Sequence, residues 1–166
     1  MKWKFTNKWI YFVSRQISLP NGRRIQKEYV QHPNAVLIIP FLNSDKLVFI
    51  RQYRPVVKSY LYELPAGTLE RGEKPVLCAR RELKEETGYR ARKLSSVGWF
   101  YLAPGYSTEK IFLYRAGQLS QEQSAPDSEE VIQTVIFTKN QVRKLFARGK
   151  IRDSKTISAL VYCRWL

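Results

Sequence analysis

Three carboxylates, Glu82, Glu85 and Glu86, fall within five residues of one another, directly after Arg81 and just before Gly88. Pro75 suits the first turn of a helix and Gly88 its stop, so the spacing predicts a helix from about Lys74 to Thr87. At 100° per residue, Val76, Ala79, Leu83 and Thr87 form a stripe that can pack on a sheet, while Cys78, Glu82, Glu85 and Glu86 share a neighbouring face. Like charges at i,i+4 cost about 0.2–0.5 kcal/mol, and Glu85 and Glu86 also sit in the last turn, where the helix dipole disfavours anions. Arg81 can pair with Glu85, but neither Glu82 nor Glu86 has a Lys or Arg three or four residues before it. The cluster therefore opposes helix stability and is expected to meet something positive. Carboxylate oxygens on a rigid helix suit Mg²⁺ or Mn²⁺, which keep several waters and bridge to substrate phosphates. The alternative is a solvated acidic helix face. Glu73 and Arg81 read as a structural carboxylate–guanidinium pair that fixes the preceding loop on the helix.

The elements that must position this helix are mostly strands. Trp9 to Ser18 and Ile25 to Gln31 flank Pro20-Asn21-Gly22, the pattern of a β-hairpin. Ala35 to Phe41 and Leu47 to Tyr53 predict two strands around the turn Asn43-Ser44-Asp45, and Tyr62 to Leu64 a shorter one. After the helix come strands near Lys93 to Tyr101, Lys110 to Ala116 and Val131 to Phe137. Two helices, about Lys139 to Arg148 and Ser154 to Leu166, close the chain. Gln118 to Ser128 is polar and is expected to be a mobile loop. This order predicts an α+β fold with helices packed on a mixed sheet.

The length of 166 residues suits one domain with a proper core, and 44% hydrophobic residues is globular composition. Cys78 and Cys163 show no ligand or C-x-x-C spacing, so both are expected to be reduced and packed, in a cytoplasmic protein. The apolar run Trp9 to Val13 is too short for a signal peptide, and no stretch could span a membrane. The net charge of +15 invites a nucleic-acid partner. Its distribution does not favour one, because Lys and Arg are spread from Lys2 to Arg164 without a block or a recognition motif. A basic surface also draws in small anionic substrates.

Gly67, Glu73, Arg81, Glu82, Leu83, Glu85, Glu86 and Gly88 stand at the spacing G-x5-E-x7-R-E-U-x-E-E-x-G, with U aliphatic. That pattern resembles the signature of the Nudix hydrolases. Chance would produce it on the order of once in a million sequences of this length. Arg51-Gln52-Tyr53-Arg54, Glu63-Leu64-Pro65-Ala66-Gly67, Ala103-Pro104-Gly105 and the Gly-Lys-Ile-Arg-Asp run at 149–153 extend the likeness over most of the chain. Together they are similar to the ADP-ribose and nucleoside-diphosphate-sugar pyrophosphatases. Two positions depart from the pattern. Tyr89 stands where an aliphatic residue is usual, which touches packing, and Ala103 where Ser is frequent, which touches the choice of sugar.

The resemblance implies a Nudix α/β/α sandwich with a mixed sheet, preceded by the N-terminal β-hairpin. It implies that Glu82 and Glu86 are the principal ligands of Mg²⁺ or Mn²⁺, with the Ala66 carbonyl as a further ligand. Glu85 would be an additional ligand or a contact to the metal-bound water, and so part of the catalytic set. Arg54 would contact the diphosphate, with Arg51 as a second candidate, and Pro104 and Gly105 would border the substrate. Gly67, Glu73, Arg81 and Gly88 are structural. The general base would come from Asp127-Ser128-Glu129-Glu130, as Glu130 or Glu129, with Glu109 as competitor. Residues 1–34 would form a β segment at a homodimer interface, and 35–166 the hydrolase domain. The implied reaction splits ADP-ribose or a related nucleotide sugar into a nucleoside monophosphate and a sugar phosphate. The alternatives are an NTP or RNA 5′-pyrophosphohydrolase and a non-catalytic RNA-binding module.

Overall fold

The computed structural model of the protein describes residues 10–122 and 131–166. Strands β1 (Tyr11–Ser18) and β2 (Arg24–Gln31) pair antiparallel as a separate two-stranded sheet. The turn between them places Gly22 at φ 80°, and the Asn21 side chain accepts from the Arg23 amide at 3.1 Å. The hairpin joins the body through its second strand. The Val30 amide donates to the Tyr106 carbonyl at 2.7 Å, and the Thr108 amide donates to the Val30 carbonyl at 3.0 Å.

Strand β3 (Ala35–Pro40) is apolar and buried at every position, as expected of a strand covered on both faces. It pairs antiparallel with β6 (Ala66–Thr68) and parallel with β8 (Lys110–Gln121), and β8 pairs antiparallel with β7 (Tyr89–Tyr101), which makes a mixed four-stranded sheet. Alternation along β3 divides its side chains between two cores. Val36 and Ile38 join Cys78, Ala79 and Leu83 of helix α1 (Pro75–Thr87). Ala35, Leu37 and Ile39 face the other way, toward Val142 of helix α2 (Lys139–Ala147) and Ala159 and Leu160 of helix α3 (Ser154–Tyr162). A second, antiparallel sheet has the order β5 (Ser59–Glu63), β4 (Lys46–Arg54), β9 (Ile132–Thr138). The architecture is the expected α+β sandwich with a mixed sheet and a leading hairpin.

Three elements differ from expectation. The polar stretch from Gln118 does not begin as a loop, because Leu119 to Gln121 stay in β8 paired with Tyr89 to Ala91 of β7. The ladder satisfies their backbone whatever their side chains, and residues 123–128 of the expected loop lie outside the described part. The Glu63–Gly67 run holds an additional short strand, β6, after Pro65. The last helix stops at Tyr162 instead of running to Leu166. There the chain turns back so that the Trp165 amide donates to the Leu160 carbonyl at 2.9 Å, and the Trp165 ring is buried edge-on against Phe41. Burying that indole outweighs four more residues of helix. Among the described residues, no helix is long and apolar enough to cross a membrane.

Candidate active site

Helix α1 starts with Pro75 in its first turn after Lys74 and ends at Gly88, whose left-handed φ of 72° lets its amide close on the Lys84 carbonyl at 2.9 Å. Burying Cys78, Ala79, Leu83 and Thr87 against the sheet fixes the rotation of the helix, and this turns Glu82 and Glu86 toward β6. The two carboxylates sit on successive residues of that strand. Glu86 is nearly buried and accepts from the Ala66 amide at 2.9 Å. Glu82 lies flat on Gly67, where an added Cβ would come within 1.9 Å of its carboxyl group. Gly67 is required there by close approach, not by its backbone angles. Beneath them Cys78 is wholly buried, and desolvation pushes its thiol well above the ordinary range. This is packing chemistry for Cys78, and both cysteines are free of disulfides.

Arg81 ties the loop before α1 to the helix. Its Nε and Nη2 donate to the two oxygens of Glu73, each at 3.1 Å, and Nη1 donates to Glu82 at 2.7 Å and to Glu85 at 3.1 Å. The guanidinium holds the Glu73 carboxyl below its ordinary 4.5, and the Glu73 hydrogen bonds raise the Arg81 pKa in turn. This corrects the sequence reading of Glu82 as lacking a cation. Helical spacing rules consider residues three and four apart, whereas a guanidinium reaching toward the loop also meets the carboxylate next to it in the chain. Among the described residues, no group of three His, Cys, Asp or Glu side chains converges in metal-holding geometry. The donors brought to β6 are nevertheless all oxygens, from Glu82, Glu86 and the backbone of Ala66 and Gly67, and they fit a hard dication by type.

Facing the end of α1 is the β5–β4–β9 sheet. Thr134 of β9 donates to the Thr87 carbonyl at 3.3 Å and approaches that of Glu86 at 3.5 Å. On the same face of the sheet, Arg54 forks onto Glu63, Nε to Oε1 at 2.8 Å and Nη2 to Oε2 at 2.7 Å. Glu63 is 1% exposed and Arg54 38%. Glu63 raises the Arg54 pKa, and the charges of Glu86 and Asp153 add to that effect. Lys155 stands 3.7 Å from Glu63 and 2.7 Å from Asp153, the residue that caps α3 by accepting from the Thr156 amide. Thr156 in turn accepts from the Leu64 amide at 2.9 Å. The start of α3 therefore fixes the strand that carries Glu63. Gln52, two residues before Arg54 on the same face, is buried with its carbonyl oxygen unpartnered among the described residues.

Other anticipated residues stand elsewhere. Arg51 is an odd number of residues from Arg54, so the pleat turns it to the opposite face of β4. There its guanidinium lies 3.9 Å over the Tyr60 ring. Pro104 and Gly105 lie under the hairpin, lining a cavity of about 260 Å³ with Ile17, Lys27, Tyr29 and Tyr106. Glu109 follows that loop, and its carboxylate is 3.9 Å from His32 Nδ1 at the end of the hairpin. Glu129 and Glu130 lie outside the described residues. Sequence reasoning missed Lys155, Asp153, Thr156 and Thr134. Asp153 could have been found as a helix cap, since Asp before Ser-Lys-Thr is a start signal. The others become visible only once β5, β9 and α3 meet.

Comparison with known proteins gives consistent relatives. The family model described as NUDIX domain matches residues 31–160. An ADP-ribose pyrophosphatase of Bacillus subtilis is 35% identical over 95% of this chain and 86% of its own. A methanol dehydrogenase activator of Bacillus methanolicus is 38% identical over 88% of this chain and 80% of its own. A crystal structure of an ADP compounds hydrolase superposes with a TM-score of 0.81 at 27% identity, covering 97% of this chain and 88% of the other.

Proposed function

The chain belongs to the NUDIX family of hydrolases, and from that premise we propose that it is a pyrophosphatase of ADP-ribose or a related nucleoside-diphosphate sugar. The products are a nucleoside monophosphate and a sugar phosphate, and the cofactor is a divalent cation, Mg²⁺ or Mn²⁺. The observation that carries this reading is the seating of Glu82 and Glu86 on Gly67 and Ala66, with Arg54 close enough to feel the charge of Glu86.

Glu82, Glu86 and the Ala66 carbonyl would hold the cation, with Glu85 as an additional ligand or a contact to its water. When bound, the cation supplies charge neutralisation of the diphosphate and activation of water. Arg81 would release Glu82 and Glu85 to a bound cation, while its fork to Glu73 keeps it attached to the loop. Arg54 spends Nε and Nη2 on Glu63, which leaves Nη1 for an oxygen of the diphosphate. Glu63, buried and braced by Lys155, keeps that guanidinium from swinging away. Pro104 and Gly105 would border the nucleoside or sugar. The base is Glu130 or Glu129, with Glu109 as the competing candidate. Geometry decides first, because a base must come within about 3 Å of its proton or reach it through one water.

Residues 1–34 are read as a segment for a homodimer interface, and 35–166 as the catalytic domain. In support, the NUDIX match begins at residue 31, where β2 ends, and Tyr11 and Phe12 expose 51% and 58% of their surface on the hairpin. A cytoplasmic location is consistent with two free cysteines.

The test is incubation of the purified protein with Mg²⁺ and a panel of ADP-ribose, GDP-mannose, dinucleoside polyphosphates, NTPs and 5′-triphosphorylated RNA, with products separated by chromatography. AMP plus ribose 5-phosphate, with ADP-ribose preferred, is the expected result. Preference for GDP-mannose keeps the reaction and moves the substrate within the same class. Cleavage of RNA or NTPs alone overturns the assignment to nucleotide sugars.

A further inference from the structure

On the face of β4–β5 turned away from α1 there is a cavity of about 360 Å³, lined by Arg51, Ser59, Tyr60, Leu61 and Tyr62, together with Leu145, Lys150 and Arg152. We propose that this cavity is a second anion site, built by Arg51, Lys150 and Arg152 to take the dianionic phosphate of a small phosphomonoester.

The charge balance of the lining points to an anion. Three cations line the cavity and no Asp or Glu does. In the described structure Arg54, Arg81, Lys84, Arg90 and Lys155 stand within ion-pair distance of a carboxylate and most other Lys and Arg do not, so the convergence of three cations on one cavity, more than their lack of a partner, marks this place. Arg51, Lys150 and Arg152 have no such ion pair among the described residues. Three like charges around one cavity repel each other at a cost that an entering dianion reverses.

Two of the three are also held in place, which lowers the ordering cost of binding. Arg51 is stacked on the Tyr60 ring at 3.9 Å, which keeps its edge of N–H donors free. Arg152 donates Nε to the Gly149 carbonyl at 2.8 Å, which leaves its Nη groups for a ligand. The tyrosine hydroxyls add neutral donors, while Ser59 and Leu61, which alternate to the other face, border the cavity at the β5 edge. A volume of about 360 Å³ lies at the small end of ligand cavities. It suits a nucleotide or sugar phosphate better than a polyanion, which needs an extended basic track.

The site is distinct from the one beside α1, because the sheet itself separates them. In the β4–β5 ladder Arg51 is opposite Tyr62, while its neighbour Ile50 is opposite Glu63, so Arg51 and Glu63 project to opposite sides. The proposal does not depend on the reading of the α1 site.

The test uses the full chain in EDTA, titrated with AMP, ribose 5-phosphate and inorganic phosphate by calorimetry, with backbone amide shifts mapping the site. The expected shifts cluster at Tyr60, Tyr62 and 149–152, and Arg51→Gln or Arg152→Gln weakens binding at least tenfold. Lys150→Ala is the second variant, should loss of the Tyr60 stack destabilise the protein. Arg92→Gln removes one charge from an exposed strand position and is expected to change affinity less than twofold. Similar binding of all three anions shows recognition of the phosphate alone, and preference for AMP or ribose 5-phosphate assigns the source; each supports the site. Equal weakening by Arg92→Gln, shifts confined to α1 and β6, or binding of long RNA without any binding of monophosphates overturns it.

Discussion

Arg51 and Arg54 belong to one strand and to one four-residue run of sequence, yet they live in opposite electrostatic surroundings. Arg54 faces the end of α1 and is neutralised by a fully buried carboxylate, whereas Arg51 faces outward, supported by an aromatic ring and accompanied by two further cations. The ladder explains the split. Cross-strand neighbours on the first face are Ile50 with Glu63 and Gln52 with Leu61, and on the second Arg51 with Tyr62 and Tyr53 with Tyr60. A strand covered on both faces can therefore hold the same residue type in a carboxylate-paired setting on one side and a ring-stacked one on the other. A sequence run read as a single motif conceals this, because the pleat assigns roles by parity.

The sharpest way to break the comparison is at the acidic face. Glu86→Gln keeps the volume and an oxygen that can accept from Ala66, but removes the charge, so the fold is expected to persist while kcat falls on the order of 10²–10³-fold. Near-UV circular dichroism checks the fold and single-turnover assays with ADP-ribose the chemistry. Activity within twofold of the parent would mean that the reaction occurs elsewhere.

The next effect is on stability and contrasts the two arginines directly. Glu63→Gln leaves Arg54 facing a neutral amide in a buried setting and is expected to cost about 1–3 kcal/mol in urea unfolding, reduced from a fully buried pair because Arg54 retains exposure. Arg51→Ala loses a ring contact and is expected to cost about 0.5–1 kcal/mol. If the two changes were equally costly, the faces would not differ in the way their partners indicate.

The acidic helix was legible because its chemistry is local. Proline, glycine and apolar spacing define α1 within fourteen residues, and the carboxylates follow from its rotation. The hairpin was legible for the same reason, since Asn21-Gly22 and alternating strands carry their own turn geometry. What could not be read was set by residues far apart in the chain. The Thr156 hydroxyl holds the Leu64 amide across 92 positions and the Thr108 hydroxyl meets His32 across 76, contacts to which no spacing rule applies. The short strand β6 belongs to the same class, because three residues after a proline become a strand only when β3 lies beside them. The placement of Arg51 is closer to legible, since the strand predicted from Leu47 to Tyr53 needs only one further residue for its alternation to separate Arg51 from Arg54.

The smallest expected effect concerns the third arginine, Arg81, whose partner Glu73 is at the loop edge and not beneath a sheet. Arg81 holds the Glu73 carboxyl below 4.5, so the unfolded chain binds a proton there more readily than the folded one. Its contribution to stability is thus complete above about pH 4.5 and is lost as pH falls through the lowered folded value. Glu73→Gln should accordingly be less stable than the parent near neutrality, and the gap should close as the pH falls through and below that lowered value. Urea midpoints for the two proteins across that range measure it. A gap that stayed constant would show that Glu73 supports the loop through its hydrogen bond to the Glu70 amide and not through its charge. The buried Glu63 provides the contrast, since Glu63→Gln removes a carboxylate that water cannot rescue, and its larger cost at neutral pH should exceed that of Glu73→Gln.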